Sequence, residues 1–154
     1  MSQFAHLHTH THYSLLDGLP KIKGLIAAVK KQEGTAVAIT DHGVMYGAIE
    51  FYKAARAAGV KPIIGMEAYV AMGDLEEKKT GIDDDYYHLT LLAENMEGYR
   101  NLMKLTTKAH LEGFYYKPRV DKKTLRKHHS GIIALSGCLR GEVPRYFLRG
   151  QPEK

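Results

Sequence analysis

The feature that most constrains this chain is a run of histidines near its N-terminus, in the sequence HLHTHTHYSLLDG at residues 6–18. Every second residue from His6 to His12 is a histidine, and Asp17 follows shortly after. In an extended strand, alternate side chains project from one face, so this spacing would aim a row of imidazoles in one direction. Neutral imidazole is the commonest metal ligand among side chains. The run therefore predicts a metal site rather than a purification tag, in which histidines are contiguous.

The length and composition are those of a single domain with one core. The chain has 154 residues, of which 44% are hydrophobic and 25% are charged, as in soluble globular proteins. No apolar run reaches the ~18 residues that suggest a membrane span, and no secretory signal is visible at the N-terminus. The one cysteine, Cys138, excludes an internal disulfide and fits a cytoplasmic location. A net charge of +5 is a mild bias toward anionic partners, including nucleic acid.

The hydrophobic pattern predicts strands that alternate with helices. Short apolar runs bounded by turn residues predict strands at 4–10, 36–40, 62–71, 88–93 and 132–136. Helical spacing predicts helices at 20–34, at 44–58, through 103–110 and at 121–128. In the second of these helices, Ile49, Tyr52 and Ala55 are predicted to face inward. The last helix is predicted to begin at Asp121 as its N-cap and to end at His128. Alternating strands and helices indicate βαβ units and a parallel sheet, either open or part of a βα barrel.

Two segments are predicted to be irregular. Residues 72–87 are polar without a period, which indicates a mobile excursion. Residues 114–120 are predicted to be a loop, because Pro118 disfavours helical dihedrals at Lys117.

Functional side chains in such folds gather at the C-terminal ends of the strands. The candidate metal ligands, in chain order, are His8, His10, Asp17, His42, Glu67, His88 and Cys138, with Asp41 beside His42 as a further candidate. Most of them lie near a predicted strand end, but Glu67 lies inside the third strand and His88 begins the fourth. An unpaired Glu67 would be costly to bury in an apolar strand, which favours a ligand role for it.

The ligand set also indicates which metals the site would hold. Imidazoles and carboxylates with at most one thiolate suit Zn²⁺, Mn²⁺ or Fe²⁺. Because the candidates outnumber the ligands of one tetrahedral site, two to three metals are expected. Such a cluster can clamp a phosphoryl group and lower the pKa of a bound water toward ~7. Lys117, Arg119 and Arg140 are candidate phosphate contacts, although solvated surface charge is the commoner role of such residues.

Several motifs resemble those of one protein superfamily. HLHTHT, TDHG, GMEAYV, HLTLLA and LSGC, in this order, resemble motifs of the polymerase and histidinol phosphatase (PHP) superfamily. The longer stretches AITDHGVMYGAIEFYKAA, GFYYKPRVD and GIIALSGCLRGE are more closely similar to the N-terminal PHP domains of bacterial family C replicative DNA polymerases. The resemblance implies a distorted (βα)₇ barrel with a metal cluster at its C-terminal mouth. It implies the seven ligands above, with Glu67 as a bridge.

The resemblance also implies a function. Family members with intact sites are associated with phosphoesterase activity, including 3′→5′ exonuclease proofreading. The implied protein is part of a DNA-directed DNA polymerase, and its implied partners are a single-stranded DNA 3′ end, the rest of the polymerase and other replisome subunits. The family's final Asp-x-His ligand motif is absent after Cys138, and about five βα units are predicted where seven are expected. We therefore expect residues 1–154 to form the N-terminal part of a PHP domain, without the remaining barrel and polymerase domains.

Two alternatives stay open at this point. The domain could be a scaffold that stabilises the polymerase and contacts its partners without catalysis. The chain could also be a free-standing phosphatase of the histidinol phosphatase type, although the polymerase-like GFYYKPRVD and GIIALSGCLRGE stretches disfavour this alternative.

Overall fold

The computed structural model describes residues 4–15, 17–78, 85–151 and 153. Its helices are α1 (Ile22–Lys31), α2 (Ala48–Ala57), α3 (Met96–Leu111), α4 (Lys122–Lys127) and α5 (Glu142–Leu148). Its strands are β1 (Ala36–Ile39), β2 (Lys61–Ala71), β3 (Tyr86–Ala93), β4 (Phe114–Tyr115), β5 (Lys117–Val120) and β6 (Ile132–Leu135). Four of the predicted strands are thus confirmed as β1, β2, β3 and β6. None of the described helices is both long and apolar enough to cross a membrane.

The central strand of the sheet is β2. Along one edge it pairs in parallel with β1 and β5, and along the other it pairs antiparallel with β3. Strand β3 in turn pairs antiparallel with β6. The prediction of a parallel sheet is therefore wrong for β3. Parallel neighbours need a crossover of a dozen or more residues, usually helical, and the described residues between β2 and β3 contain no helix.

Residues 4–10 do not form the predicted first strand. Their backbone forms one isolated bridge with β1, at His6, and the Thr9 carbonyl oxygen accepts from the amide of Thr40 at 2.8 Å. A little farther along the chain, the amide of Thr11 donates at 2.6 Å to the carboxylate of Asp41. Side-chain acceptors of this kind compete with a backbone ladder. The histidine run is therefore held against the end of β1 without becoming a regular strand.

Two apolar clusters hold the helices to the sheet. One packs α3 against β2 and β3, and its buried members include Met66, Leu91, Leu102, Leu105 and Val120. The other packs α1 and α2 against β1, and its buried members include Ile22, Ile26, Val37, Ile39 and Phe51. The long helices thus cover the sheet and leave its strand ends open for a site.

The predicted inner face of α2 is wrong for Ile49 and Tyr52 and correct for Ala55. Ile49 and Tyr52 are 59% and 51% exposed, whereas Ala48, Phe51 and Ala55 are buried. Both sets of residues have helical spacing, so the pattern alone does not choose between them. Burying the Phe51 ring removes a large apolar surface from water, and this side of the helix therefore faces the core.

Residues 114–120 are not the predicted loop, since they contain β4 and β5. Pro118 indicated a loop, but proline is tolerated in short strands at a sheet edge. Tyr116 stands at the tip between the two strands with φ +56°. A non-glycine residue in this left-handed region costs on the order of 1–3 kcal/mol.

The predicted irregular segment at 72–87 is shorter in the structure. Tyr86 and Tyr87 belong to β3, and Leu75 is buried. Residues 79–84, to which the expectation of mobility also applied, lie outside the described residues.

The predicted N-cap of α4 is confirmed and supports the first stability prediction. The Asp121 carboxylate accepts from the amides of Thr124 at 2.7 Å and Leu75 at 3.3 Å. Burial would raise the pKa of Asp121, but the hydrogen bonds from Thr124 outweigh burial and hold this pKa below its usual range. We expect Asp121→Ala to cost about 1–2 kcal/mol of unfolding free energy at pH 7, measured by urea denaturation.

The pH dependence of that cost follows from the lowered pKa. The stabilisation by Asp121 is complete above the pKa of the unfolded chain, about 3.9, and is lost as the pH falls through the lower folded pKa. The difference between wild type and Asp121→Ala should therefore shrink in strong acid. The exposed Asp74→Ala serves as the control. An equal difference at pH 7 and in strong acid would show that the carboxylate charge is not responsible.

Candidate metal centre

The candidate site is built around the carboxylate of Glu67, which lies within β2 and is 1% exposed. Its Oε1 lies 3.2 Å from His8 Nε2 and 3.1 Å from His88 Nδ1. Its Oε2 lies 2.6 Å from His42 Nδ1 and 3.5 Å from His10 Nε2. The structure thus brings four histidines that are distant in sequence onto one buried carboxylate.

These contacts are close but are not aligned as hydrogen bonds. Among the described residues, neither oxygen of Glu67 has a hydrogen-bond partner of suitable geometry, and the same holds for His42 Nδ1. A buried ionised carboxylate without such partners is costly. Nitrogen and oxygen lone pairs that converge on a common space would coordinate a cation there, which would remove this cost. The orientation of these side chains therefore suits coordination of a metal ion better than hydrogen bonding among themselves.

The donor atoms fall into two groups that could each hold one ion. One group is His8, His10 and Glu67, and the other is His42, Glu67 and His88. Within each group the donor atoms lie within 4.8 Å of one another. Because Glu67 belongs to both groups, its carboxylate occupies the position that a bridging ligand requires.

The direction of the strands explains why these residues meet. His42 follows the C-terminal end of β1 and forms a parallel bridge with Glu67 in β2. His88 lies near the start of β3, opposite Tyr69 of β2. Since β3 runs antiparallel to β2, its beginning lies beside the C-terminal half of β2. His88 therefore reaches the site although it does not follow a strand.

Cys138 approaches the site from the turn after β6. Gly137 has φ +81°, and a Cβ at this position would lie 2.7 Å from the His88 carbonyl oxygen, so the turn requires glycine. The Sγ atom of Cys138 lies 3.7 Å from His88 Nδ1 and 3.4 Å from the amide nitrogen of Arg140. Cys138 is exposed and lies at the edge of the centre, outside the two groups that share Glu67.

Asp17 lies on the opposite side of the centre and is exposed. Its Oδ2 lies 2.9 Å from His42 Nε2. His42 therefore has one ring nitrogen at Asp17 and the other at Glu67. This arrangement fixes the orientation of the imidazole ring.

A buried hydrogen-bond network orients the N-terminal ligands, and its centre is Asp41, which the sequence interpretation considered only as a candidate ligand. Asp41, 2% exposed, accepts from the hydroxyls of Thr11 at 2.9 Å and Ser14 at 2.7 Å. Ser14 Oγ in turn accepts from the His42 amide at 3.1 Å and lies 3.4 Å from His10 Nδ1. Such partners fix the ring orientation of metal-binding histidines. The signal in the sequence was an aspartate directly before a candidate ligand, at the end of an apolar strand.

The electrostatics of the centre favour the cation-binding forms of Glu67 and His10, whereas the contact with Glu67 raises the pKa of His42. Burial would raise the pKa of Glu67, but contacts with His42 and the other imidazoles outweigh burial and hold it well below the usual range. Burial lowers the pKa of His10, and the neighbouring His42 lowers it further. Glu67 is therefore ionised and His10 neutral at neutral pH, as metal ligation requires.

Two of the three candidate phosphate contacts flank the centre. Lys117 Nζ lies 5.7 Å from the ring centroid of Tyr69, and the guanidinium carbon of Arg140 lies 5.7 Å from that of Tyr86. Each tyrosine ring stacks on an imidazole of the site, at 5.9 Å and 5.8 Å respectively. One tyrosine ring therefore separates Lys117 from His42, and another separates Arg140 from His88.

The third candidate, Arg119, was placed wrongly by the sequence interpretation. Its side chain is buried, with 1% exposure. The guanidinium donates to the carbonyl oxygens of Gly113 and Glu77 at 3.3 Å each and lies 5.2 Å from the Tyr115 ring centroid. Arg119 therefore connects two segments of the chain through hydrogen bonds to their carbonyl oxygens, and its role as a phosphate contact stays a prediction.

The fold is an α/β partial barrel in which buried and half-buried histidines and one carboxylate form a cluster that could hold metal ions. The chain belongs to the PHP domain family, whose model matches residues 6–154. The resemblance found in the sequence motifs is therefore confirmed.

Curated relatives of this chain are alpha subunits of DNA polymerase III. It is 54% identical over 151 residues to DNA polymerase III subunit alpha of Thermus aquaticus, covering 96% of this chain and 12% of that protein. It is 50% identical over 153 residues to the same subunit of Borreliella burgdorferi, covering 99% of this chain and 13% of that protein. The chain thus spans about an eighth of the length of these relatives.

Solved structures share the fold at low sequence identity. An amidohydrolase from Chromobacterium violaceum with bound sulfate and no metal matches with a TM-score of 0.51 and 22% identity, over 68% of this chain and 32% of that one. A protein from Bifidobacterium adolescentis described as a metal-dependent phosphoesterase matches with a TM-score of 0.51 and 21% identity, over 71% and 34%. The chain corresponds to about a third of these folds, as expected for part of a distorted barrel.

Proposed function

We propose that this chain is the metal-dependent phosphoesterase module of a longer bacterial replicative DNA polymerase, and that it hydrolyses the 3′-terminal phosphodiester of single-stranded DNA. The observation that carries the proposal is the buried carboxylate of Glu67, which lies between two groups of imidazoles. Similarity to DNA polymerase III subunit alpha supports the replicative context. In that context the partners are a DNA 3′ end, the rest of the polymerase and other replisome subunits.

The two groups that share Glu67 would each hold one divalent cation, with Asp17 and Cys138 as further ligands for a total of two to three ions. Imidazole and carboxylate donors suit Zn²⁺, Mn²⁺ or Fe²⁺. When bound, such ions neutralise phosphoryl charge and lower the pKa of water. Asp41 and Ser14 would keep His10 directed at its ion.

The protein's other contribution is to position the phosphodiester. Lys117 and Arg140, which lie over the neighbouring rings of Tyr69 and Tyr86, would bind its non-bridging oxygens. The oxygen of one water molecule forms a bond to phosphorus, and the bond from phosphorus to the 3′-oxygen of the preceding nucleotide breaks. That 3′-oxygen takes one proton of the water and leaves as a hydroxyl, and the terminal nucleotide is released as a 5′-monophosphate.

Removing two ligands tests this function. We expect His8→Ala/His10→Ala to reduce 3′→5′ hydrolysis of labelled single-stranded DNA by at least about 10³-fold in the presence of Mn²⁺ or Zn²⁺, because one group loses two of its three donors. The assay uses the full-length protein. His110→Ala/His129→Ala removes two histidines outside the centre and should retain full activity.

Each alternative has its own outcome in this assay. Unchanged DNA hydrolysis in His8→Ala/His10→Ala would support the scaffold function. Hydrolysis of histidinol phosphate but not of DNA would support a phosphatase of the histidinol type.

One observation favours a scaffold role in addition to catalysis. Large apolar side chains are exposed on β6 and α5, namely Ile133, Val143, Phe147 and Leu148. Large exposed apolar side chains on neighbouring elements suit contact with other protein. We therefore expect this side of the chain to pack against the remainder of the polymerase.

A further inference from the structure

The exposed side of α3 carries a row of basic side chains. Arg100, Lys104 and Lys108 follow one another at intervals of four residues, which places them on one side of the helix, about 6 Å apart along its axis. Lys127 of α4 joins the row at its C-terminal end, where it lines a cavity together with Lys108. We call these four residues the α3 basic surface.

Three members of the α3 basic surface face a shallow cavity of about 410 Å³. The cavity is lined by Arg100, Met103, Lys104, Thr107, Lys108 and His128. Burial lowers the pKa of His128, and the ammonium groups of Lys104, Lys127 and Lys108 lower it further. The positive charges are therefore concentrated around one half-buried ring, as a site for an anion requires.

The protein itself neutralises little of this positive charge. In the part of the chain that the structure describes, Lys108 pairs with Glu112. No salt bridge between described residues reaches Arg100, Lys104 or Lys127. Like charges four residues apart on a helix destabilise it. A polyanion that neutralised these cations would relieve this repulsion.

The composition of the cavity favours a nucleic acid backbone over a protein partner. The cores of protein interfaces are depleted of charged residues and enriched in aromatic ones. The described residues that line this cavity include three cations, and the His128 imidazole is the one aromatic ring among them. Lysine and arginine contacts with phosphates need no apolar core and do not depend on base sequence.

The α3 basic surface is separate from the metal centre. Met66 of β2 packs in one apolar cluster with Leu102 and Leu105 of α3. Adjacent residues of a strand project to opposite faces of a sheet, so Glu67 points away from α3. A ligand of the α3 basic surface would therefore bind on the outside of the sheet and not at the candidate metal ligands.

The row of cations nevertheless leads toward the end of the sheet that holds the centre. A Cβ at Gly98, in the first turn of α3, would lie 3.4 Å from Ala93 Cα at the far end of β3. Gly113, just after α3, packs against the Arg119 carbonyl oxygen. Arg119 in turn pairs opposite Tyr69, beside the centre. The C-terminal end of the row is therefore the end nearer the centre.

We propose that the α3 basic surface binds the phosphate backbone of single-stranded DNA, as a second contact apart from the metal centre. The inference rests on the proposed function, because that function makes a DNA strand the substrate. A strand held along α3 would approach the end of the sheet at which its 3′ terminus is hydrolysed. The surface would accept any base sequence, since its contacts are with phosphates.

The salt dependence of DNA binding tests this proposal. The full-length protein is titrated into a labelled oligothymidylate of about 20 nucleotides, which is longer than the site of one single-strand binding module. Fluorescence anisotropy gives the affinity at several NaCl concentrations without divalent metal. Each lost phosphate contact should lower the slope of log affinity against log salt by about 0.7 in magnitude. The slope for Arg100→Gln/Lys104→Gln should therefore be smaller than that of wild type by about 1.4.

Two control variants separate this contact from a general effect of charge. Lys30→Gln/Lys31→Gln removes the same charge from exposed positions of α1 and should keep the wild-type slope. Arg100→Lys/Lys104→Arg retains both charges and should also keep it. Because Arg100 and Lys104 are exposed, the melting temperatures of all these variants should stay near that of wild type.

Equal slopes for wild type and Arg100→Gln/Lys104→Gln would overturn the inference, and so would an equal loss of slope in Lys30→Gln/Lys31→Gln. If the slope were unchanged and the α3 variant instead lost a protein subunit of the replisome, the surface would bind an acidic protein rather than DNA. Failure to hydrolyse DNA would overturn the proposed function, whatever the slope.

Discussion

Glu67→Gln is expected to abolish metal binding while leaving the fold intact. Glutamine has nearly the same shape but carries no charge, and Glu67 is the donor that both ligand groups share. Changes to residues that only support metal ligands typically cost 10- to 100-fold in affinity. Loss of a shared anionic ligand should exceed about 100-fold. Equilibrium dialysis followed by metal analysis measures the effect directly.

The stability of the metal-free Glu67→Gln protein shows whether a loss of metal binding comes from the missing ligand or from unfolding. Glutamine keeps the size of the side chain, so Glu67→Gln should still unfold in one cooperative transition, although it loses the contacts with His42 and the other imidazoles that hold the pKa of Glu67 low. Glu112→Gln is the matched control, because Glu112 is exposed and pairs with Lys108 on the helix surface. A Glu67→Gln protein that still takes up metal as wild type does would contradict a bridging role for this carboxylate.

Arg119→Met is expected to have the largest effect on stability. The buried guanidinium donates to the Gly113 and Glu77 carbonyl oxygens, and methionine would leave both without this donor. Losing these charge-assisted bonds should cost about 2–4 kcal/mol. In a domain of this size that corresponds to a decrease of about 5–15 °C in melting temperature. Thermal unfolding followed by circular dichroism is the measurement.

This experiment also decides between the two roles considered for Arg119. Arg126→Met, at an exposed position of α4, should leave the melting temperature nearly unchanged. If Arg119→Met melted like wild type and instead lost affinity for DNA, the phosphate contact expected from the sequence would be correct and the structural role wrong.

The histidine run shows how far the sequence alone could go. The alternating spacing predicted that His8 and His10 point the same way, and in the structure both reach Glu67. The predicted reason, a regular strand, is wrong. The segment is instead held by the buried carboxylate of Asp41, a long-range contact that no local periodicity reports.

Strand direction was the second feature that the sequence could not supply. Apolar runs located β2 and β3, but the sequence of a strand does not indicate whether it runs parallel or antiparallel to its neighbour. His88 therefore seemed misplaced at the start of a strand, although the reversal of β3 brings it to the site. Glu67 was predictable because burial of an unpaired carboxylate is costly. Arg119 was not, since nothing in the short KPRV strand indicates which side chain faces the core.

The central claim is that the side chains around Glu67 form a centre for two or more metal ions, and anomalous X-ray scattering tests it most directly. Crystals of the protein grown with Zn²⁺ or Mn²⁺ would be measured on both sides of the absorption edge of that metal. We predict at least two anomalous peaks, separated by the Glu67 carboxylate, each about 2.0–2.2 Å from imidazole nitrogens. Crystals with saturating metal but no anomalous peak within coordination distance of Glu67 would contradict this account.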